Sequence, residues 1–160
     1  MASPVNEFSQ LPINPAGDSG RYVGSGKQVE IQFTLAPDAS STDIFPEPPL
    51  VITQRRDGSQ CSIDGGIWVR KAVYLDASEQ RLLVQEYSGS NDALLVYRTS
   101  DCKLLKTVDV SNRRWQVAGE KVLIGKRCTG DGIASCKSTK QVSLATSRQA
   151  LPSNDPTKNK

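Results

Sequence analysis

The sequence predicts an all-β fold: antiparallel meander sheets, propeller-like, in one disulfide-stapled domain. Three observations predict it. Residues 28–35 alternate polar and apolar side chains with the period of a half-buried strand. Strand-length apolar segments then recur about every ten residues, separated by turn-forming clusters. No amphipathic stretch of ordinary helix length interrupts them, and four well-separated cysteines offer two staples.

In chain order, residues 1–27 are rich in Pro, Gly, Ser and Asn and read as a flexible, extended or poorly ordered leader. The strand over 28–35 opens the all-β domain, which is expected to span 28–146. Phe45-Pro46-Glu47-Pro48-Pro49 is neither helix nor central strand, because proline fixes φ and removes a donor. Residues 50–52 form a short strand, 56–59 a turn, and Asp64-Gly65-Gly66 a second turn leading into Ile67-Trp68-Val69. Strands follow over 72–75, 81–87, 93–97, 103–108, 114–117, 121–124 and 141–144. Residues 76–80, 88–92 and 99–101 are polar and turn the chain between the earlier of these. From Ser147 onward the chain again carries Pro, Asn and Lys and reads as a flexible tail over 147–160. A sandwich, a barrel or a blade-based sheet each fits this pattern.

Composition narrows the chemistry. The chain has 160 residues, enough for one domain with its own core, and a formal net charge of +3, too small for a nucleic-acid-binding footprint. Arg55-Arg56 and Arg113-Arg114 read as solvated surface charge. There is no histidine, so neither a Ser-His-Asp triad nor a Cys-His pair exists within the chain. Cys61, Cys102, Cys128 and Cys136 contain no CxxC pair, which speaks for disulfides in an oxidising compartment rather than zinc or redox chemistry. Three pairings are open. Thr129-Gly130-Asp131-Gly132 supplies a tight return that favours Cys128–Cys136, leaving Cys61–Cys102. No segment reaches the apolar length of a membrane span, so no membrane insertion is expected. Met1-Ala2-Ser3-Pro4 leads directly into polar sequence, so a periplasmic location would mean that the natural export signal has been removed.

Three features are candidates for function. Glu86-Tyr87-Ser88-Gly89-Ser90-Asn91-Asp92 has the small polar residues of a hairpin tip, and such a tip fits a narrow cleft where bulkier side chains clash. Trp68 and Trp115, near strand starts, read as core or edge packing. Asp57, Asp64, Asp76, Glu79, Glu86 and Asp92 fall in or beside turns, and nothing in their spacing makes a glycosidase pair. The residues alone describe a secreted all-β binding module of unknown target and leave carboxylate-pair and Ser-Lys chemistry open; no catalytic residue, metal or cofactor is expected.

The stretch from Phe45 to Leu144 adds a resemblance. Phe45-Pro46-Glu47-Pro48-Pro49, Cys61 followed by Asp64-Gly65-Gly66-Ile67-Trp68, and Glu86-Tyr87-Ser88-Gly89-Ser90 occur in order. Cys102-Lys103, Arg114-Trp115, Lys126-Arg127-Cys128-Thr129-Gly130 and Ser135-Cys136 follow. Together they resemble the periplasmic immunity proteins of the type VI secretion system that pair with family-one peptidoglycan amidase effectors. The resemblance implies a non-enzymatic protein whose partner is a papain-like amidase with a Cys nucleophile and a His base. It places the family's serine-bearing loop on Ser88, Gly89, Ser90 and Asn91, with Ser90 reaching the partner's Cys and His. Asn91-Asp92 departs from the smaller or less acidic residues of those relatives. The runner-up expectation is a non-enzymatic periplasmic binding module for a glycan or an envelope protein.

Overall fold

The computed structural model describes residues 7–17, 20–35, 41–46, 49–88 and 91–146. They form fourteen strands and one 3-10 turn, Ile133–Ser135, and every strand pairing is antiparallel. One sheet has five strands: β2 (Asn14–Pro15), β3 (Arg21–Ser25), β4 (Val29–Thr34), β6 (Leu50–Gln54) and β7 (Gln60–Ile63), in that order. A six-stranded sheet runs β1 (Phe8–Gln10), β8 (Ile67–Asp76), β9 (Arg81–Ser88), β10 (Asn91–Arg98) and β11 (Leu104–Asp109), with β5 (Ile44–Pro46) also on β8. The third sheet is β12 (Arg114–Ala118), β13 (Lys121–Cys128) and β14 (Cys136–Ser143).

The six-stranded sheet is the middle layer of three. Leu82 and Val84 of β9 and Leu95 and Tyr97 of β10 join the core made with Val29, Ile31, Phe33, Leu50 and Ile52 of the five-stranded sheet. Leu83, Leu94 and Val96, alternating with them, join the core made with Val122, Ile124 and Leu144 on the other side. Strands buried on both faces read as continuous apolar runs, which is why Leu82-Leu83-Val84 and Leu94-Leu95-Val96 do not alternate. β4, with one face on a core, does alternate.

Arg81 ties the layers together. Its Nε donates to Asp76 Oδ2 at 2.9 Å, one terminal nitrogen to Glu120 Oε2 at 3.2 Å, and the other to the Leu144 carbonyl at 3.0 Å. The same guanidinium lies over the Phe8 ring, 4.9 Å from its centroid. A buried cation satisfied on all sides fixes geometry more than it adds stability.

β8 serves two edge neighbours by breaking register. Between Trp68↔Glu86 and Val73↔Val84 it passes residues 69–72 where β9 passes only Gln85. Its first part carries β5 and its last part carries β1.

Two features correct the sequence expectation. The flexible leader over 1–27 does not hold for residues 7–17 and 20–25. β1, β2 and β3 lie there, and Phe8, Leu11, Ile13 and Tyr22 are buried in the two cores. Their apolar residues are too widely spaced to show a period, yet each fills a place beside β4 or β8. The sheets are meanders as expected, but among the described residues they close into neither a barrel nor a propeller. Residues 147–160, expected to form a tail, lie outside the described residues.

Two disulfides complete the fold. Cys61 of β7 joins Cys102 in the turn before β11, fastening the five-stranded sheet to the middle one. Cys128 joins Cys136, across the β13–β14 connection that the Thr129-Gly130-Asp131-Gly132 return predicts.

Candidate partner-binding site

The β9–β10 hairpin carries the candidate loop, and its stem is among the most buried parts of the chain. β9 and β10 pair without a slip from Arg81↔Arg98 to Ser88↔Asn91. Ser88 ends β9, and Asn91 opens β10 and is exposed. Gly89 and Ser90 fall between that last pair in sequence and lie outside the described residues. The stem is in place up to the residues on either side of the expected contact.

Two neighbouring turns brace it. On one side Gly66 of the Asp64-Gly65-Gly66 turn donates its backbone N–H to the Glu86 carboxylate. A Cβ at Gly66 would strike the Tyr87 carbonyl oxygen, and one at Gly65 would strike the Trp68 ring and come within 2.8 Å of Glu86 Oε2. Glycine is required there for close approach, not for a left-handed backbone. On the other side Ser111, between β11 and β12, accepts the Asp92 N–H at 2.9 Å, and the Val110 N–H donates to the Asp92 carbonyl at 2.9 Å. Gln85 reaches across the stem, its Nε2 lying 2.7 and 2.9 Å from the two Asp92 carboxylate oxygens. Burial raises the Asp92 carboxyl above the usual range against the Gln85 hydrogen bond, and the charge of Asp109 adds to the rise.

Three of the other carboxylates are committed to structural hydrogen bonds. Glu79, itself at φ 60°, accepts the backbone N–H groups of Lys27, Gln28 and Val29 at 2.8, 2.7 and 3.1 Å. Asp76 accepts from Ser78, Gln80 and Arg81. Asp57 caps Ser59, whose backbone and hydroxyl hydrogen bonds lower its carboxyl. Asp64 is exposed beside the hairpin. No group of three or more Cys, Asp or Glu side chains among the described residues is placed to hold a metal.

A cleft of about 570 Å³ opens at the far end of β9, where Arg81 starts the strand. Lys27, Arg55, Glu79, Arg98 and Thr99 are among its lining. Its basic side chains outnumber its carboxylates, but several are already engaged: Arg81 with Asp76 at 2.9 Å, Arg98 with Asp101 at 2.6 Å, and Arg55 Nε with the Gly26 carbonyl.

Trp68 is fully buried and stacks edge-on to Phe33, with ring centroids 6.5 Å apart, so it belongs to the core. Trp115 packs edge-on to Tyr74 at 6.3 Å. The Arg113-Arg114 pair is exposed, Arg114 donating to the Gly130 carbonyl at 3.0 Å. The sequence does not reveal the Gly66–Glu86 brace. Two adjacent glycines announce a turn, but not the strand it packs against.

The sequence profile of the family described as "Immune protein Tsi1" matches residues 6–147. A curated protein of Pseudomonas aeruginosa bearing that same description is 36% identical over 141 residues, covering 86% of this chain and 82% of that protein. The match spans all three layers, both disulfides and the central hairpin, and the chain belongs to the Tsi1 immune protein family.

Proposed function

We propose that this immune protein binds a type VI-secreted, papain-like peptidoglycan amidase in the periplasm and inhibits it by seating the β9–β10 loop in the active-site groove. The observation that carries the reading is the hairpin: buried on both faces over residues 81–85 and 94–97, held in register to Ser88↔Asn91, and braced by a turn on each side. A stem so fixed has little conformational freedom left to lose on docking. Ser90 is the residue assigned to the partner's Cys and His. A hydroxyl both donates and accepts, so it satisfies those buried groups. It offers the thiolate no carbonyl to attack, so the plug is not turned over. The protein then acts by occupancy, with no chemistry of its own. Two disulfides support an oxidising compartment.

Ser90→Trp and Ser90→Arg test the reading. Each over-fills a narrow groove, and the expected result is at least about a tenfold loss of inhibition, since clashes act as strong discriminators. Hydrolysis of purified peptidoglycan by the cognate amidase, titrated with each full-length variant, reads it out. Undiminished inhibition by both variants overturns the plug.

A further inference from the structure

We infer that Tyr87 is a second contact point for the same effector, an aromatic anchor that packs against the rim of the groove the loop enters; this rests on the plug reading above. Tyr87 and Leu104 are the large hydrophobic residues exposed among the described residues, at 37% and 48%. They lie toward opposite ends of the middle sheet. Leu104 opens β11 opposite Tyr97, toward the end where Arg81 begins β9. Tyr87 is opposite Asp92 and Ile67, one residue before Ser88. Of the two, only Tyr87 stands beside the proposed plug.

Three properties suit Tyr87 to this role. Its ring offers apolar area, and no hydrogen bond among the described residues occupies its hydroxyl. Its backbone is held from below, because the Gly66 turn packs against the Tyr87 carbonyl and is fastened to Glu86. Its register places it on the face of the hairpin shared with Gln85 and Asp92, while Asn91 belongs to the opposite face. A groove that admits the tip meets both faces, and Tyr87 is the first large side chain on its face. Tyrosine is enriched among the residues that carry most of the binding energy between proteins, and Tyr87 stands next to the residues at the centre of the proposed contact. The chemistry it fits is a shallow apolar patch on the groove wall, edged by a backbone carbonyl or amide that pairs with the phenol.

The test measures binding of the full-length protein to the cognate amidase by surface plasmon resonance. Tyr87→Ser is compared with Leu104→Ser and Ser90→Trp, and all melting temperatures are recorded. The expected result for Tyr87→Ser is at least about tenfold weaker binding, carried mainly by faster dissociation, with an unchanged melting temperature. Leu104→Ser is expected to bind as the parent does. Wild-type binding by Tyr87→Ser alongside weakened binding by Ser90→Trp overturns the anchor and leaves the plug standing. Wild-type binding by both variants removes the plug, and the anchor with it. Equal losses from Tyr87→Ser and Leu104→Ser, or a loss that follows a lowered melting temperature, also overturn the anchor.

Discussion

Tyr97 is the tyrosine whose surroundings most disfavour its charged form. Burial, reinforced by the charge of Glu86, pushes its phenol up to about 12. An unfolded tyrosine ionises near pH 10. Above that pH the unfolded chain releases a proton that the folded chain keeps, so stability is full below about pH 10 and falls as pH rises toward about 12. Burial raises Tyr74 in the same direction. Tyr97→Phe is therefore expected to recover about 1 kcal/mol at pH 11 and to flatten, not abolish, the alkaline loss. Urea unfolding of both proteins between pH 8 and 11 checks it, and parallel curves would contradict it. At this scale the sequence was only partly legible. Turn chemistry was readable at Asp57 and Asp76, where an acidic residue precedes small polar partners. The reach of Glu79 to the backbone of residues 27–29 spans some fifty positions and leaves no local trace. Trp68 was readable as core, but not the cost it carries: its Nε1 is the single buried side-chain nitrogen or oxygen without a partner among the described residues. An orphaned donor costs about 1–3 kcal/mol, here set against a fully buried indole.

The brace beside the hairpin depends on an absent side chain. Gly66→Ala is expected to push the turn off the Tyr87 carbonyl, break the hydrogen bond to Glu86 and cost about 1–3 kcal/mol, as overpacking does. Denaturant unfolding measures it, and an unchanged midpoint would show that the turn yields freely. Elements were legible where burial was simple. The alternation of β4 and the unbroken apolar runs of β9 and β10 each announced a strand. β1, β2 and β3 were missed because short strands with at most two buried residues carry no period, and the prolines and glycines between them resemble a linker. β14 was read only from its last residues because Cys136–Ser143 is exposed on both faces along most of its length. Phe45-Pro46 belongs to an edge strand, where proline is tolerated because no further neighbour needs its donor.

The whole molecule is three layers stapled unequally. Cys61–Cys102 spans 41 residues and crosses between layers, whereas Cys128–Cys136 spans 8 within one sheet. Loop-closure entropy assigns about 4 kcal/mol to the first and about 2.5 to the second. The Cys61→Ala/Cys102→Ala pair is therefore expected to lower the melting temperature more than Cys128→Ala/Cys136→Ala. Calorimetry of both double variants decides it, and the reverse order would place the strength elsewhere. The layer count was hidden from the sequence, since unbroken apolar runs show that strands are covered twice but not by what. Family membership was legible from spaced motifs that fall in all three layers. The placement of β9 and β10 at the heart of the stack has a consequence for how such a protein changes over generations. Substitutions in the stem disturb one core or the other, depending on the face, while the exposed flank at Asn91 carries no packing duty. Under the proposed plug, lineages re-cut the key while the shank stays the same, and matching a drifting partner leaves folding intact.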